Sequence, residues 1–312
     1  QSNSMKIIVT GGAGFVGSHV VELLIKNKHY PIIVDNLHSG KYKHVKKFVD
    51  SGKAQFFKID IRNKKNLMKL PKTPAVIHLA AIASVLESID NPSYVNDVNV
   101  AGTLNMLEFC RMKKIKKFIF TSSAAIFGMY DKKSSEITKT IPNTVYASSK
   151  LTGEQYCKIY SDLFGMNIVC LRPFNIYGPR QNDSYAGVIS KFMDRLSSNY
   201  PPIIHGDGKQ TRDFIHVDDI AKAFLLSLKY NKKKFDVFNV ATGKSTSINH
   251  LVDLFLKTAN KTKLKPIYKK YIPGVVKYNS TNNQKIKKLL KFSPSVKLED
   301  GIPQLWEYTK SN

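Results

Sequence analysis

A chain of 312 residues, 42% hydrophobic and 23% charged, has the length and composition of a globular protein with a sizeable core, which excludes a disordered chain. Its 49 lysines and arginines against 23 acidic residues give a formal charge of +26, which admits nucleic acid, an anionic surface or an anionic small substrate as partner. Cys110, Cys157 and Cys170 are odd in number and show no CxxC spacing; that argues against a disulfide framework and a zinc site, and for a reducing compartment, the cytoplasm.

Gln1–Ser4 reads as a cleavage remnant, so the elements are taken from Met5. KIIVT (6–10) is a short apolar run, and TGGAGFVGSHV follows it at 10–20, with Gly11, Gly14 and Gly17 three residues apart. PIIVD (31–35), AQFFKID (54–60), AVIHLA (75–80), KKFIFTS (116–122) and NIVCLR (167–172) are further runs, nearly continuous in apolar residues, as strands buried on both faces are. The intervals are long enough for crossover helices, of which 93–112 is the clearest. This rhythm predicts an α/β fold with a doubly wound parallel Rossmann sheet over 5–174. Past residue 173 the rhythm breaks at Pro173, Pro179, Pro201 and Pro202, which predicts a smaller α/β substrate lobe in 175–312. FDVFNV (235–240), within a return near 213–241, reads as a strand rejoining the first lobe. No apolar stretch reaches the roughly 18 residues of a membrane span. The longest, AVIHLAAIASVL (75–86), carries His78 and Ser84.

The glycine run sits between the first strand and the first helix. There one glycine makes a tight turn, one admits a pyrophosphate to the backbone and one lets helix pack on strand. The helix N-terminus offers free N–H groups to the phosphates. Asp35 ends the second strand, 18 residues after Gly17, where a carboxylate can bind both ribose hydroxyls of NAD; Asn36, not arginine, follows it, which favours NAD over NADP. Asp60 ends the third strand as a candidate partner for the adenine amino group. A helix cap at Asp35 and a plain strand-end turn at Asp60 are the structural alternatives.

Ser123 follows the fifth strand, and YASSK places Tyr146 and Lys150 one helical turn apart. A lysine ammonium and a nicotinamide cation both favour a phenolate, so Tyr146 is expected to be depressed toward neutrality as a general base. Ser123 would hydrogen-bond the reacting hydroxyl. His78 and His216 read as structural.

From about residue 6 to about 306 the chain resembles extended short-chain dehydrogenases/reductases, and among them the UDP-glucose 4-epimerase-like nucleotide-sugar 4-epimerases. The motifs are TGGAGFVGSHV, VDN, HLAA, NVAGTLNMLE, TSSAAIFG, YASSK, LRPFNIYGPRQ and GDGKQTRDFIHVDD. The resemblance implies catalysis by Ser123, Tyr146 and Lys150. It implies NAD contacts at Gly11, Gly14, Phe15, Val16, Gly17, Asp35 and Asn36, then at Asp60, Ile61, Leu79, Ala80, Ala81 and Asn99, with Tyr146 and Lys150. It implies Asn175 and Arg212 on the diphosphate of a UDP-sugar, Val188 near the uracil, and Asn279 against the sugar C2 substituent. A shift of one residue would put Tyr278 there instead. It also implies a homodimer built on helices near 93–112 and 146–164.

Some positions depart from the family pattern: Ile272 and Val275 stand where the resembling epimerases carry an arginine and an aspartate, the following acidic position is Asn282, and Phe127 replaces a common tyrosine. Ala124 and Ala125 follow the catalytic serine, where the resembling dehydratases and decarboxylases carry acids, so epimerisation of a UDP-hexose is expected. The alternatives are another nucleotide-sugar oxidoreductase or decarboxylase, and a non-catalytic NAD-binding regulatory or RNA-associated protein. The lysine clusters RMKKIKK (111–117), NKKKF (231–235) and NQKIKKLLK (283–291) are scattered, with no aromatic RNA-binding motif. They read as solvated faces and not as a nucleic-acid or membrane footprint.

Overall fold

The computed structural model describes residues 4–181, 187–271 and 276–311. Ile272 and Val275 lie outside the described residues, as do residues 182–186.

Seven parallel strands form the central sheet, in the order Phe235–Val240, Asn167–Pro173, Lys117–Thr121, Ala75–His78, Lys6–Thr10, Tyr30–Asp35, Gln55–Lys58. The apolar runs become strands because both faces are covered. Ile7 and Val9 point into one core with the helices Phe15–Lys26 and Val217–Ser227. Ile8, Val76, Phe118 and Phe120 point into the other, with the helices Gly102–Met112 and Val145–Phe164. Strand order reverses between Lys6–Thr10 and Ala75–His78, and a parallel sheet opens its ligand crevice at the carboxyl ends of its strands at such a switch point.

The helical run that begins at Pro92 contains a π turn, Asp97–Ala101, before continuing as Gly102–Met112. Its extra residue rotates Asn99 inward, where it is 2% exposed.

A separate core gathers Phe192, Leu196, Ile204, Phe214, Leu251, Phe255 and Trp306. The chain passes between the two regions repeatedly. Strand Phe235–Val240 and helix Gln284–Leu290 pack with the sheet, while helices Val188–Ser197, Ile248–Thr258 and Leu298–Ser311 build the separate core. Asp213 and Asp219 tie loops to this crossing. Asp213 accepts from the Thr242 and Gly243 N–H groups (2.9 and 2.8 Å), and Asp219 from the Ser295 and Val296 N–H groups (2.8 and 3.1 Å).

Candidate active site

The cofactor-binding expectation begins at Gly11, whose φ is +68°; a Cβ there would lie 2.7 Å from the Ala80 nitrogen. A Cβ on Gly17 would lie 2.0 Å from the Gly11 oxygen, so the turn closes only around bare backbone. The helix that follows has no side-chain cap at Gly14 and no acidic residue in its first turn. Its N–H groups are therefore open to an anion. This cradle fits a dinucleotide pyrophosphate.

Around it a cleft is lined by Gly11, Gly14, Phe15, Val16 and Gly17, by Asp35, Asn36, Asp60 and Ile61, and by Leu79, Ala80 and Ala81. Ser123, Tyr146 and Lys150 line its other end. Fourteen of the fifteen expected cofactor positions thus line this one cleft. Asn99 does not: it stands behind the wall as a staple. Its Oδ1 accepts from the Ile82 N–H (2.7 Å), and its Nδ2 donates to the Ile82 oxygen (3.0 Å) and to Ser149 Oγ (3.0 Å). It fixes the Ile82 loop to the helix that carries Tyr146.

Asp35 is 7% exposed, and its carboxylate accepts from the Ala13 N–H (3.0 Å) and the Leu37 N–H (2.8 Å). Burial raises its pKa against those two donors. Each carboxylate oxygen keeps a second lone pair for a ribose hydroxyl. Asp60 is clasped by Arg62, Nε to Oδ1 at 3.0 Å and Nη2 to Oδ2 at 2.7 Å, and this holds its carboxyl down at about 2. His38 Nε2 and Glu87 Oε1 pair at 3.1 Å, and both residues line the cleft at this same end. No sequence signal pointed to that pair.

At the other end, Ser123 leaves strand Lys117–Thr121 in extended conformation and caps the turn Ala124–Phe127, its Oγ accepting from the Ala125 N–H (3.1 Å). Thr144 caps the helix Val145–Phe164 and so presents Tyr146 in its first turn, within hydrogen-bonding reach of Ser123. Lys150 Nζ donates to the Thr121 oxygen (2.9 Å) and lies 5.9 Å from the Tyr146 ring centroid.

The electrostatics differ from the expectation drawn from YxxxK. Burial pushes the Tyr146 phenol above its ordinary value, opposed by the Ser123 hydrogen bond, and Lys150 does not depress it. The amine faces a carbonyl and the ring, and burial brings its own pKa down to about 8. A depressed phenol therefore needs a further cation in the cleft. His78 is structural: it lies between Thr10 Oγ1 (2.6 Å) and Thr103 Oγ1 (3.0 Å), and burial keeps it neutral, at about 3. His216 caps the helix Val217–Ser227 by accepting from the Asp218 N–H (3.2 Å).

Behind the catalytic turn Arg172 and Glu154 form a buried pair, with Nε–Oε1 at 2.7 Å and Nη2–Oε2 at 2.8 Å. The guanidinium lies 5.4 Å from the Phe127 ring centroid, under the turn that starts at Ser123. The two residues are far apart in sequence, and nothing in it pairs them.

A second cleft of about 670 Å³ adjoins the first across Phe174 and Ile176, which line both. Asn175, Val188 and Arg212 line it, with Lys191, His205 and Gln210, which the sequence did not single out. The Arg212 Nη1 donates to the carbonyls of Thr211 (2.7 Å) and Lys277 (3.3 Å), while burial lowers its pKa. An anion in the cleft would offset that desolvation. Strand Tyr278–Thr281 pairs with Thr211–Arg212. Asn279 Oδ1 accepts from Asn175 Nδ2 (2.8 Å), whereas Tyr278 is 46% exposed; neither lines the two clefts described.

A family model described as the NAD dependent epimerase/dehydratase family matches residues 7–241. A putative UDP-glucose 4-epimerase of Methanocaldococcus jannaschii is 40% identical, over 98% of this chain and 99% of that one. The crystal structure of a Thermotoga maritima UDP-glucose 4-epimerase with UDP-glucose is similar at 35% identity and a TM-score of 0.92, over 98% of this chain and 99% of that one. A UDP-N-acetylglucosamine 4-epimerase from Methanobrevibacter ruminantium, in complex with UDP-N-acetylmuramic acid, is similar at 34% identity and a TM-score of 0.92, over 99% of each chain.

Proposed function

This chain belongs to the NAD-dependent epimerase/dehydratase family, and on that premise we propose that it interconverts UDP-glucose and UDP-galactose at C4, and also UDP-N-acetylglucosamine and UDP-N-acetylgalactosamine. One observation carries the reading. Ser123, Tyr146 and Lys150 meet at one end of the cleft, and the carboxylates that line it, Asp35, Asp60 and Glu87, belong to the other end. Ala124 and Ala125 sit where an eliminating or decarboxylating site would need an acid. Without one, these residues can move the proton of a single hydroxyl and little else.

The chemistry NAD supplies when bound is reversible acceptance of the C4 hydride, together with a positive charge that favours the Tyr146 phenolate. Tyr146 Oη takes the proton from the 4-hydroxyl and later returns it. The Ser123 hydroxyl, whose oxygen already accepts from Ala125, donates toward the reacting oxygen. Lys150 holds its ammonium beside the phenol. Arg212 and Asn175 hold the diphosphate, and Val188 packs near the uracil. The 4-keto sugar turns about its diphosphate linkage between the two proton transfers.

A homodimer is part of the reading. Ile159 and Leu163, one turn apart on helix Val145–Phe164, are 46% and 70% exposed and form an apolar stripe. The cytoplasm is the proposed site of action, in keeping with three free, buried thiols.

The test is incubation of the purified protein with UDP-, TDP- and GDP-sugars, with products identified by NMR and reduced nicotinamide followed by absorbance. A C4-epimeric UDP-sugar with no net reduction supports the proposal. Release of reduced cofactor, loss of carbon dioxide or a dehydrated sugar overturns it.

A further inference from the structure

Two of the lysine clusters, 111–117 and 231–235, are apart in sequence but not in space. All strands of the central sheet are parallel, so all begin at one edge, opposite the cleft. The Asn167 N–H donates to the Lys116 oxygen (2.7 Å), and the next N–H, of Ile168, donates to the Lys234 oxygen (2.7 Å). The runs 111–117 and 231–235 therefore flank the first turn of a single strand. Lys117 Nζ spans the gap, donating to Asn167 Oδ1 (2.9 Å) and to the Tyr230 carbonyl. Further along the edge Lys6 pairs with Tyr30, and Lys28 precedes it. The helix of the third cluster starts at the far end of strand Phe235–Val240, where Asn283 Nδ2 donates to the Ala241 oxygen (3.1 Å). From there Lys285 reaches Asp236, near the start of that strand, at 2.6 Å.

The charge here is not neutralised locally. Lys6, Lys28, Lys116 and Lys232, Lys233 and Lys234 are exposed. The nearby carboxylates are engaged by other bases: Glu108 by Arg111, Asp162 by Lys158 and Asp236 by Lys285. Seven strands at about 4.8 Å spacing make an edge about 30 Å long. Two apolar side chains project beside it. Met112, ending its helix, is 57% exposed, and Phe164, ending another, is 39% exposed. Lys116 Nζ donates to the Phe164 carbonyl (3.5 Å), and the Arg111 guanidinium lies 5.2 Å from the Phe164 ring centroid.

We propose that this amino-terminal edge is a docking face for an anionic lipid surface. Lysines act as point charges with no planar fork, which suits a diffuse field of headgroups. Met112 and Phe164 supply apolar tips that can enter the interface. Nucleic acid is the poorer fit, since neither of the two clefts described lies at this edge and, of its two exposed apolar side chains named above, one is aromatic. The cleft lies at the opposite ends of the strands, so docking leaves it open to soluble substrate. The inference stands independently of which sugar is turned over.

The experiment is co-sedimentation of the full chain, with its cofactor bound, on phosphatidylcholine vesicles with and without phosphatidylserine, at low and physiological salt. The wild type should pellet only with the anionic vesicles, and less at high salt. The triple variant Lys232→Gln, Lys233→Gln, Lys234→Gln should lose roughly tenfold or more in partitioning while circular dichroism and cofactor binding stay unchanged. A second triple variant, Lys257→Gln, Lys263→Gln, Lys265→Gln, removes the same charge elsewhere and should partition like the wild type. Equal loss in both variants would mean that net charge, not this edge, governs binding, and would overturn the proposal. So would a wild type that ignores anionic vesicles, or one that binds single-stranded RNA at physiological salt in preference to them.

Discussion

Lys150 Nζ donates to the carbonyl oxygen of Thr121 at 2.9 Å, which holds the amine against strand Lys117–Thr121 and over the Tyr146 ring. Burial brings this lysine to about 8, so it is a cation below that pH and neutral above it. In the proposed reaction the ammonium, which does not by itself lower the phenol, supports the phenolate together with the charge of the bound nicotinamide. Turnover should therefore fall as pH rises through about 8. Lys150→Arg, charged at every working pH, should be slower but lack this alkaline limb. A pH–rate profile of kcat for both proteins checks it; a wild-type profile flat through that range counts against the assignment.

Tyr146 and Ser123 touch at the cleft wall, and Tyr146 carries the proton in the proposed reaction. Tyr146→Phe removes only a hydroxyl. Turnover should drop roughly 10²–10⁴-fold while NAD binding, measured by calorimetry, stays within a few-fold of wild type. A variant nearly as fast as the parent would show that another group is the base.

Asp35 does two things through one carboxylate. It secures the Ala13 and Leu37 N–H groups, and it presents negative charge at the end of the second strand. Asp35→Ala orphans two donors, each at a cost of about 1–3 kcal/mol if it stays dry. Both thermal stability and NAD affinity should fall, and the preference over NADP should narrow. Asp35→Asn keeps an acceptor but not the charge, so it should lose selectivity with less loss of stability. Titration of both nucleotides into cofactor-stripped protein tests this, and equal binding of the two by the wild type would contradict it.

The pair Arg172–Glu154 is buried at both ends, 7% and 6% exposed. Removing one partner of such a pair typically costs about 3–5 kcal/mol, because the other charge is left without its counter-ion. Glu154→Gln should therefore lower the urea midpoint markedly. It should also lower kcat, since Arg172 packs under the turn that begins at Ser123. An unchanged midpoint would mean that solvent reaches Arg172.

What the sequence made legible follows from range and period. The runs KIIVT, PIIVD and KKFIFTS read as buried strands because each is continuous, and FDVFNV did so even after a long excursion. Strand ends were less legible. AVIHLA was read to residue 80, but pairing stops at His78, where the chain turns into the cleft. Strands such as Thr211–Arg212 and Thr246–Ser247 are too short to show any period. Tyr146 and Lys150 were visible as a spacing, but the upward shift of the phenol was not, because burial belongs to the fold. The contact of Asn99 to Ile82 was not legible, because the π turn that holds it has no signature in NVAGTLNMLE. The Arg172–Glu154 pair and the anchors Asp213 and Asp219 connect residues that only the tertiary structure brings together.

In the proposed reaction the choice of sugar is assigned to Asn279. Its Oδ1 accepts from Asn175 Nδ2 at 2.8 Å, and its strand neighbour across the pair is Arg212. The two residues proposed to hold the diphosphate thus border it directly. Tyr278 is 46% exposed, and in the proposed binding mode the small side chain of Asn279, not the aromatic one, borders the sugar. An asparagine leaves room for an acetamido group and can hydrogen-bond it. Asn279→Tyr would fill that room and break the contact to Asn175. Overpacking of this kind costs about 1–3 kcal/mol, or roughly 5- to 150-fold in kcat/KM, and should fall on N-acetylhexosamines. Glucose and galactose derivatives, which carry only a hydroxyl at C2, should lose much less. Measuring kcat/KM for UDP-glucose and UDP-N-acetylglucosamine in both proteins gives the ratio directly. If the two substrates lose equally, or if the wild type does not turn over the N-acetyl sugar, Asn279 does not set the choice.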